Sequence, residues 1–166
     1  MVAAFATAGS KYRPPRNAPI TIVAATADQP SEPGQRMVSA RVQIDPEDLV
    51  SGDPEWVTIL AWQGGIANQR GLVIDNLKKL GPGYYESTKP IPVWGSWKTL
   101  VRVQDGHTMA GAPIFLAADP GIGAPETPAL AAFQRPFVQE ITILQRERNQ
   151  DHPAWLFNVA SLVVLF

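Results

Sequence analysis

Two histidines, three methionines and no cysteine set the limits of the chemistry this chain can carry. Without cysteine there is no disulfide, no thiolate metal site and no cysteine nucleophile. His107 and Met109 stand two residues apart. On a strand they share a face, and imidazole with thioether is a donor pair that suits copper. Lys98 and Arg102 fall on the same expected face and would repel a bound cation. A tight site needs more ligands, and Met37, His152 and Met1 are the only other imidazole or thioether groups. The reading preferred here is one exposed His and one exposed Met on an edge strand. Copper binding by His107 and Met109 is kept as the alternative.

Other catalytic constellations fare worse. A Ser-His-acid triad needs a histidine beside a nucleophile and oriented by a carboxylate. His107 follows a hairpin turn and His152 borders an apolar run; neither lies in a nucleophile-elbow or metalloprotease motif. Gly121-Ile122-Gly123 lacks the third glycine and the following helix of a dinucleotide loop. Asp45, Glu47 and Asp48 read as turn or helix-start residues rather than an acid/base pair. A hydrolytic enzyme therefore ranks last among the functional readings, and no catalytic residue or cofactor is assigned.

The composition agrees with a binding or structural module. Lys and Arg number 14 against 15 Asp and Glu, with no long run of either sign, so a nucleic-acid partner is not expected. Sixteen prolines and thirteen glycines favour many turns and few helices. With 166 residues the chain can bury a full core in one domain.

The elements that would position these groups read as strands. Val38, Ala40, Val42 and Ile44 alternate with Ser39, Arg41, Gln43 and Asp45. Further strands are expected over 20–26 and 56–63, and 72–77 is a short apolar segment. Leu80-Gly81-Pro82-Gly83-Tyr84-Tyr85 has the pattern of a tyrosine corner, a glycine turn leading into a strand. Trp97, Thr99, Val101 and Val103 then alternate with Lys98, Leu100 and Arg102. Taking Asp105-Gly106 as the two-residue turn sets Val103 opposite Thr108, Val101 opposite Ala110 and Trp97 opposite Ile114. The inner face becomes Trp97, Thr99, Val101 and Val103 with Ala110, Ala112, Ile114 and Leu116. The outer face holds Lys98, Arg102, Gln104, His107 and Met109. Pro113 suggests an edge strand. Residues 119–136, rich in Pro, Gly and Ala, are expected as a surface lap or linker, and 137–145 as a strand. The expected core is Trp56 or Trp62 with Tyr85, Trp97, Val101 and Ile114, inside an all-β antiparallel sandwich of immunoglobulin-like type.

Gly83-x-Tyr85, Pro92-x-x-Gly95-x-Trp97 and the strand from Lys98 to Val103 resemble the end of the extracytoplasmic sandwich domains of the YtkA-like, FixH-like and CopC-like group. The resemblance covers roughly 36–116. It implies an immunoglobulin-like domain on the outer side of a bacterial membrane protein, a setting in which several relatives handle copper. The His and Met ligands of copper-binding members have no clear counterparts here, so it implies fold and location rather than metal function.

The ends carry the membrane expectation. Residues 154–166 contain no charge and include Trp155, an interfacial type of residue. As helix, thirteen residues would cover about 20 Å at ~1.5 Å each, against about 30 Å of hydrocarbon. They are read as the start of a transmembrane helix truncated at the chain end. The expected organisation is a tail or linker over 1–17, a sandwich over 18–145, a membrane-proximal stalk over 146–153 and the apolar helix from 154. The function this implies is a non-enzymatic extracytoplasmic domain of an integral membrane protein. Its partners would be the lipid bilayer, through the C-terminal run, and its own membrane part or another membrane protein.

Overall fold

The computed structural model describes residues 21–45, 56–63, 71–105 and 108–144, which form two antiparallel β-sheets packed around one core. The expected all-β sandwich is therefore present. Period-two alternation builds it. In β1 (Thr21–Gln29), Ile22, Ala24 and Thr26 point inward; in β2 (Met37–Asp45), Val38, Ala40, Val42 and Ile44 do the same. The register Ile22↔Ile44, Ala24↔Val42 and Thr26↔Ala40 lines both sets up on one face. β3 (Trp56–Gln63) pairs with β4 (Leu72–Asn76), after which the chain changes sheet to β5 (Lys78–Gly81) and β6 (Tyr84–Glu86). The short β7 (Ile91–Pro92) leads back to the second sheet through β8 (Trp97–Asp105) and β9 (Thr108–Leu116). β10 (Ala132–Pro136), β11 (Val138–Gln139) and a single helical turn, α1 (Glu140–Leu144), complete the described chain. One sheet runs β10-β1-β2-β6-β5, with β7 also paired to β2; the other runs β11-β9-β8-β3-β4.

The core is aliphatic. Ile22, Ile44, Ile59, Ile91, Val101 and Ile114 are fully enclosed, with Tyr85, Phe115, Phe133 and Phe137 around them. Tyr85, Val101 and Ile114 thus lie where the sequence places them. The tryptophans do not fill the centre. The inward positions of β3 are Val57, Ile59 and Ala61, so Trp62 has the opposite parity and packs on the outer side against Leu100, Leu116 and Ile143. Trp97 is only partly buried at the core margin. The Pro82-Gly83 turn does enter a strand, and Gly83 takes the positive φ of 69° that favours glycine. It is a hairpin turn inside one sheet, however; the chain changes sheet later, over 93–96, after β7.

The β8–β9 hairpin keeps the expected faces but not the expected partners. Val103 pairs with Ala110 and Val101 with Ala112, two residues along from the sequence-based register. A shift of two preserves parity, which is why Ala110 and Ala112 still face the core. A bulge near Thr99–Leu100 then reverses parity. Phe115 and Ala117 join the core, and Leu116, expected inside, moves to the outer cluster with Leu100. Pro113 does not mark an edge, because β11 pairs beyond β9 at Gly111 and Ala110. The presumed linker 119–136 contains β10, which pairs along β1 from Thr21↔Pro136 to Ala25↔Ala132. The segment expected as strand over 137–145 has only two strand residues before α1.

Among the described residues no helix is long and apolar enough to cross a membrane. The expected tail (1–17), stalk (146–153) and apolar helix (154–166) lie outside the described residues, as does His107.

Candidate functional site

The outer face of the five-stranded sheet is the surface that stands out. Leu60 pairs with Ile74 and Trp62 with Leu72, so four apolar side chains project from the same side of β3 and β4. Across β8 the same two rows continue as Leu100 and Lys98. Leu72 is 63% exposed and Ile74 48% exposed. β4 is also the terminal strand of its sheet. It carries neither the proline nor the lysine that commonly blunts an edge, whereas β5 has Lys78 and Lys79 and β10 has Pro136. An exposed apolar row on a terminal strand is a surface suited to contact rather than to solvent.

The other half of this face is covered by α1. The chain can cross β9 there because position 111 is glycine. A Cβ on Gly111 would stand 3.2 Å from Ile143 Cδ1 and 3.5 Å from the Glu140 backbone. Ile143 then seals Leu100 and Leu116, and Trp62 and Val138 pack against the same cluster. Glu140, 3% exposed, forms an ion pair with Arg102 under this cover. Removing two charges from water is costly unless they are paired, so the pair fixes where α1 sits. The Arg102 guanidinium also donates from Nη2 to Met109 Sδ at 3.7 Å.

That contact bears on the copper alternative. Met109 lies on the outer side of the hairpin, opposite Gln104, with its sulfur facing a cation. A soft metal bound there would displace or oppose Arg102. His107 is outside the described residues, so its distance from Met109 is not part of the geometry. Among the described residues no group of three or more His, Cys, Asp and Glu side chains could hold a metal ion.

Several other enclosed polar groups have structural partners, whereas Thr58 Oγ1, Trp94 Nε1 and Trp97 Nε1 are buried without a hydrogen bond. Asp75, fully buried on the inner side of β4, accepts from the Thr88 backbone N–H at 2.9 Å and from the Thr88 hydroxyl. Thr99 donates to the Pro92 carbonyl at 2.6 Å, tying β8 to β7. Arg135 donates to the carbonyls of Pro113, Ile114 and Pro128 at 2.6–2.7 Å and lies 4.0 Å over the Phe133 ring. Burial lowers its pKa below the usual arginine value. Asp119 caps the short turn Pro120–Ile122, accepting from the Gly121 N–H at 3.0 Å, turn chemistry rather than a phosphate loop. Asp45 is exposed at the end of β2, and Glu47 and Asp48 lie outside the described residues.

Sequence reasoning missed the apolar strip because it placed Trp62 or Trp56 in the core. The signal was in β3 itself. Val57, Ile59 and Ala61 already supply one apolar face, so Leu60 and Trp62 had to form a second. No family model, curated protein or solved structure matches this chain.

Proposed function

We propose that this chain is a non-enzymatic, immunoglobulin-like interaction domain held at a membrane, on its extracytoplasmic side. Its working surface is the outer side of β3 and β4. The strand order supports the immunoglobulin-like assignment. β5-β6-β2-β1 follows the D-E-B-A order of such domains, and β9-β8-β3-β4 follows G-F-C with an added C′ strand. The membrane assignment is supported by the uncharged run 154–166 and by the resemblance to YtkA-like, FixH-like and CopC-like domains. The observation that carries the interaction reading is the apolar strip on which Leu72 and Ile74 are exposed beside the half-buried Leu60 and Trp62, on a sheet whose other half is already covered by α1.

Sidedness tests the location. The chain has no cysteine, so an exposed Ala27→Cys variant gives one reactive thiol. In intact bacterial cells expressing the full chain, a membrane-impermeant maleimide should label it. Labelling only after lysis would place the sandwich on the cytoplasmic side and remove this part of the proposal.

A further inference from the structure

We infer that the outer surface of β3 and β4 meets lipid, with Leu60, Trp62, Leu72 and Ile74 resting in the interfacial layer of a phospholipid bilayer. This rests on the membrane-held reading above and adds which side of the sandwich faces the membrane.

The first support is where the chain leaves the domain. α1 ends at Leu144 on this same outer face, with Ile143 in the cluster that Trp62 packs against. Nine residues, 145–153, separate Leu144 from the uncharged run. Fully extended they reach at most roughly 30 Å, at ~3.3–3.6 Å each. A compact domain of about 100 residues has a radius of gyration near 13 Å. A tether of that length starting on one face cannot easily pass round the sandwich. The face from which it starts is the one it draws to the bilayer.

The second support is chemical contrast between the two outer faces. Here the exposed groups are Leu72 and Ile74, beside Trp62, the mix of aliphatic and indole side chains that suits the membrane interface. On the opposite sheet, the outward residues of β2 are Ser39, Arg41 and Gln43, and Arg41 pairs with Glu86 at 2.9 Å. Val23 and Tyr84 are exposed beside them, so the contrast lies in the polar and ion-paired row of β2 against the continuous apolar row of β3 and β4. Lipid is favoured over a second copy of the chain or another protein because the tether supplies proximity to a bilayer, whereas no partner protein is implied by any residue of the strip.

The test uses the full chain, reconstituted into phosphatidylcholine–phosphatidylglycerol vesicles. Leu72→Cys and, on the opposite outer face, Val23→Cys each accept one environment-sensitive fluorophore. Quenching is read with doxyl-labelled lipid and with aqueous iodide, and vesicle flotation is run on the same samples. The Leu72 probe should be quenched several-fold more by doxyl lipid than the Val23 probe, and several-fold less by iodide. Equal behaviour of the two probes in floated vesicles overturns the inference and leaves the membrane-held reading intact. A Leu72 probe shielded from iodide yet untouched by doxyl lipid means protein covers the strip, which also overturns it. Energy transfer between differently labelled copies would then identify a second copy. A chain that does not float with the vesicles takes down both readings.

Discussion

Glu140→Gln should be the most informative single substitution for how the outer face is built. Glu140 is almost fully buried, and the Arg102 side chain retains only 20% exposure. Replacing the carboxylate with an amide removes the charge that faces the guanidinium beside α1. Breaking a buried pair from one side costs about 3–5 kcal/mol. Because Arg102 keeps some access to water, the lower end of that range is expected, about 3 kcal/mol. Removing both charges, as Glu140→Leu with Arg102→Leu, should recover most of the loss, since paired apolar groups replace paired ions at little cost. The exposed Arg41–Glu86 pair is the internal control. Its side chains are 77% and 34% exposed, and Glu86→Gln should cost no more than ~1 kcal/mol. Urea unfolding of the full chain in mild detergent, followed by tryptophan fluorescence, gives all three values. If Glu140→Gln is no more costly than Glu86→Gln, the buried ion pair does not hold α1, and the division of the outer face into covered and open halves fails.

Four further outcomes follow from the packing. Ile59→Ala, at the centre of the core, should cost ~2–5 kcal/mol, whereas Leu72→Ser should stay within about 0.5 kcal/mol; the reverse ranking in urea melts would mean β3 and β4 are turned over. Gly111→Val should cost ~1–3 kcal/mol by overpacking against Ile143, with faster amide exchange over 140–144; unchanged exchange would contradict the crossing of α1 over β9. Arg135→Lys keeps the charge but cannot serve three carbonyls at once, so a drop in thermal midpoint of several degrees is expected, and an unchanged midpoint would show the fork to be idle. Titration of the full chain with Cu(I) and Cu(II) should give no tight stoichiometric binding; such binding, if lost in the His107→Ala, Met109→Ala double variant, would establish the copper reading in place of this one.

The alternation of β2 and β8 made the sandwich legible in the sequence, because one buried face imposes period two on the residues. Its details were less legible for identifiable reasons. The hairpin register slipped by two because the strands pair up to Asp105↔Thr108, one residue further round the turn than Asp105-Gly106 suggested, and a shift of two leaves every face unchanged. The bulge that sends Leu116 outward has no local signature, since Ile114, Phe115 and Leu116 are all apolar. β10 was hidden in a proline- and alanine-rich stretch whose strand character comes from pairing with β1. The apolar strip was masked by the habit of placing tryptophan in the core. Ile74 and Leu72 read as ordinary strand residues until β4 is known to be the last strand of its sheet.

Membrane attachment through residues 154–166 is best tested by alkaline carbonate extraction. The full chain and a version ending at Pro153 are expressed in a bacterial host, and membranes are washed, extracted and floated. The full chain should stay with the membrane pellet after extraction and float with lipid, while the shortened chain is released folded. Release of the full chain into the carbonate supernatant would contradict membrane attachment, and the uncharged run would then have to find its apolar partner elsewhere.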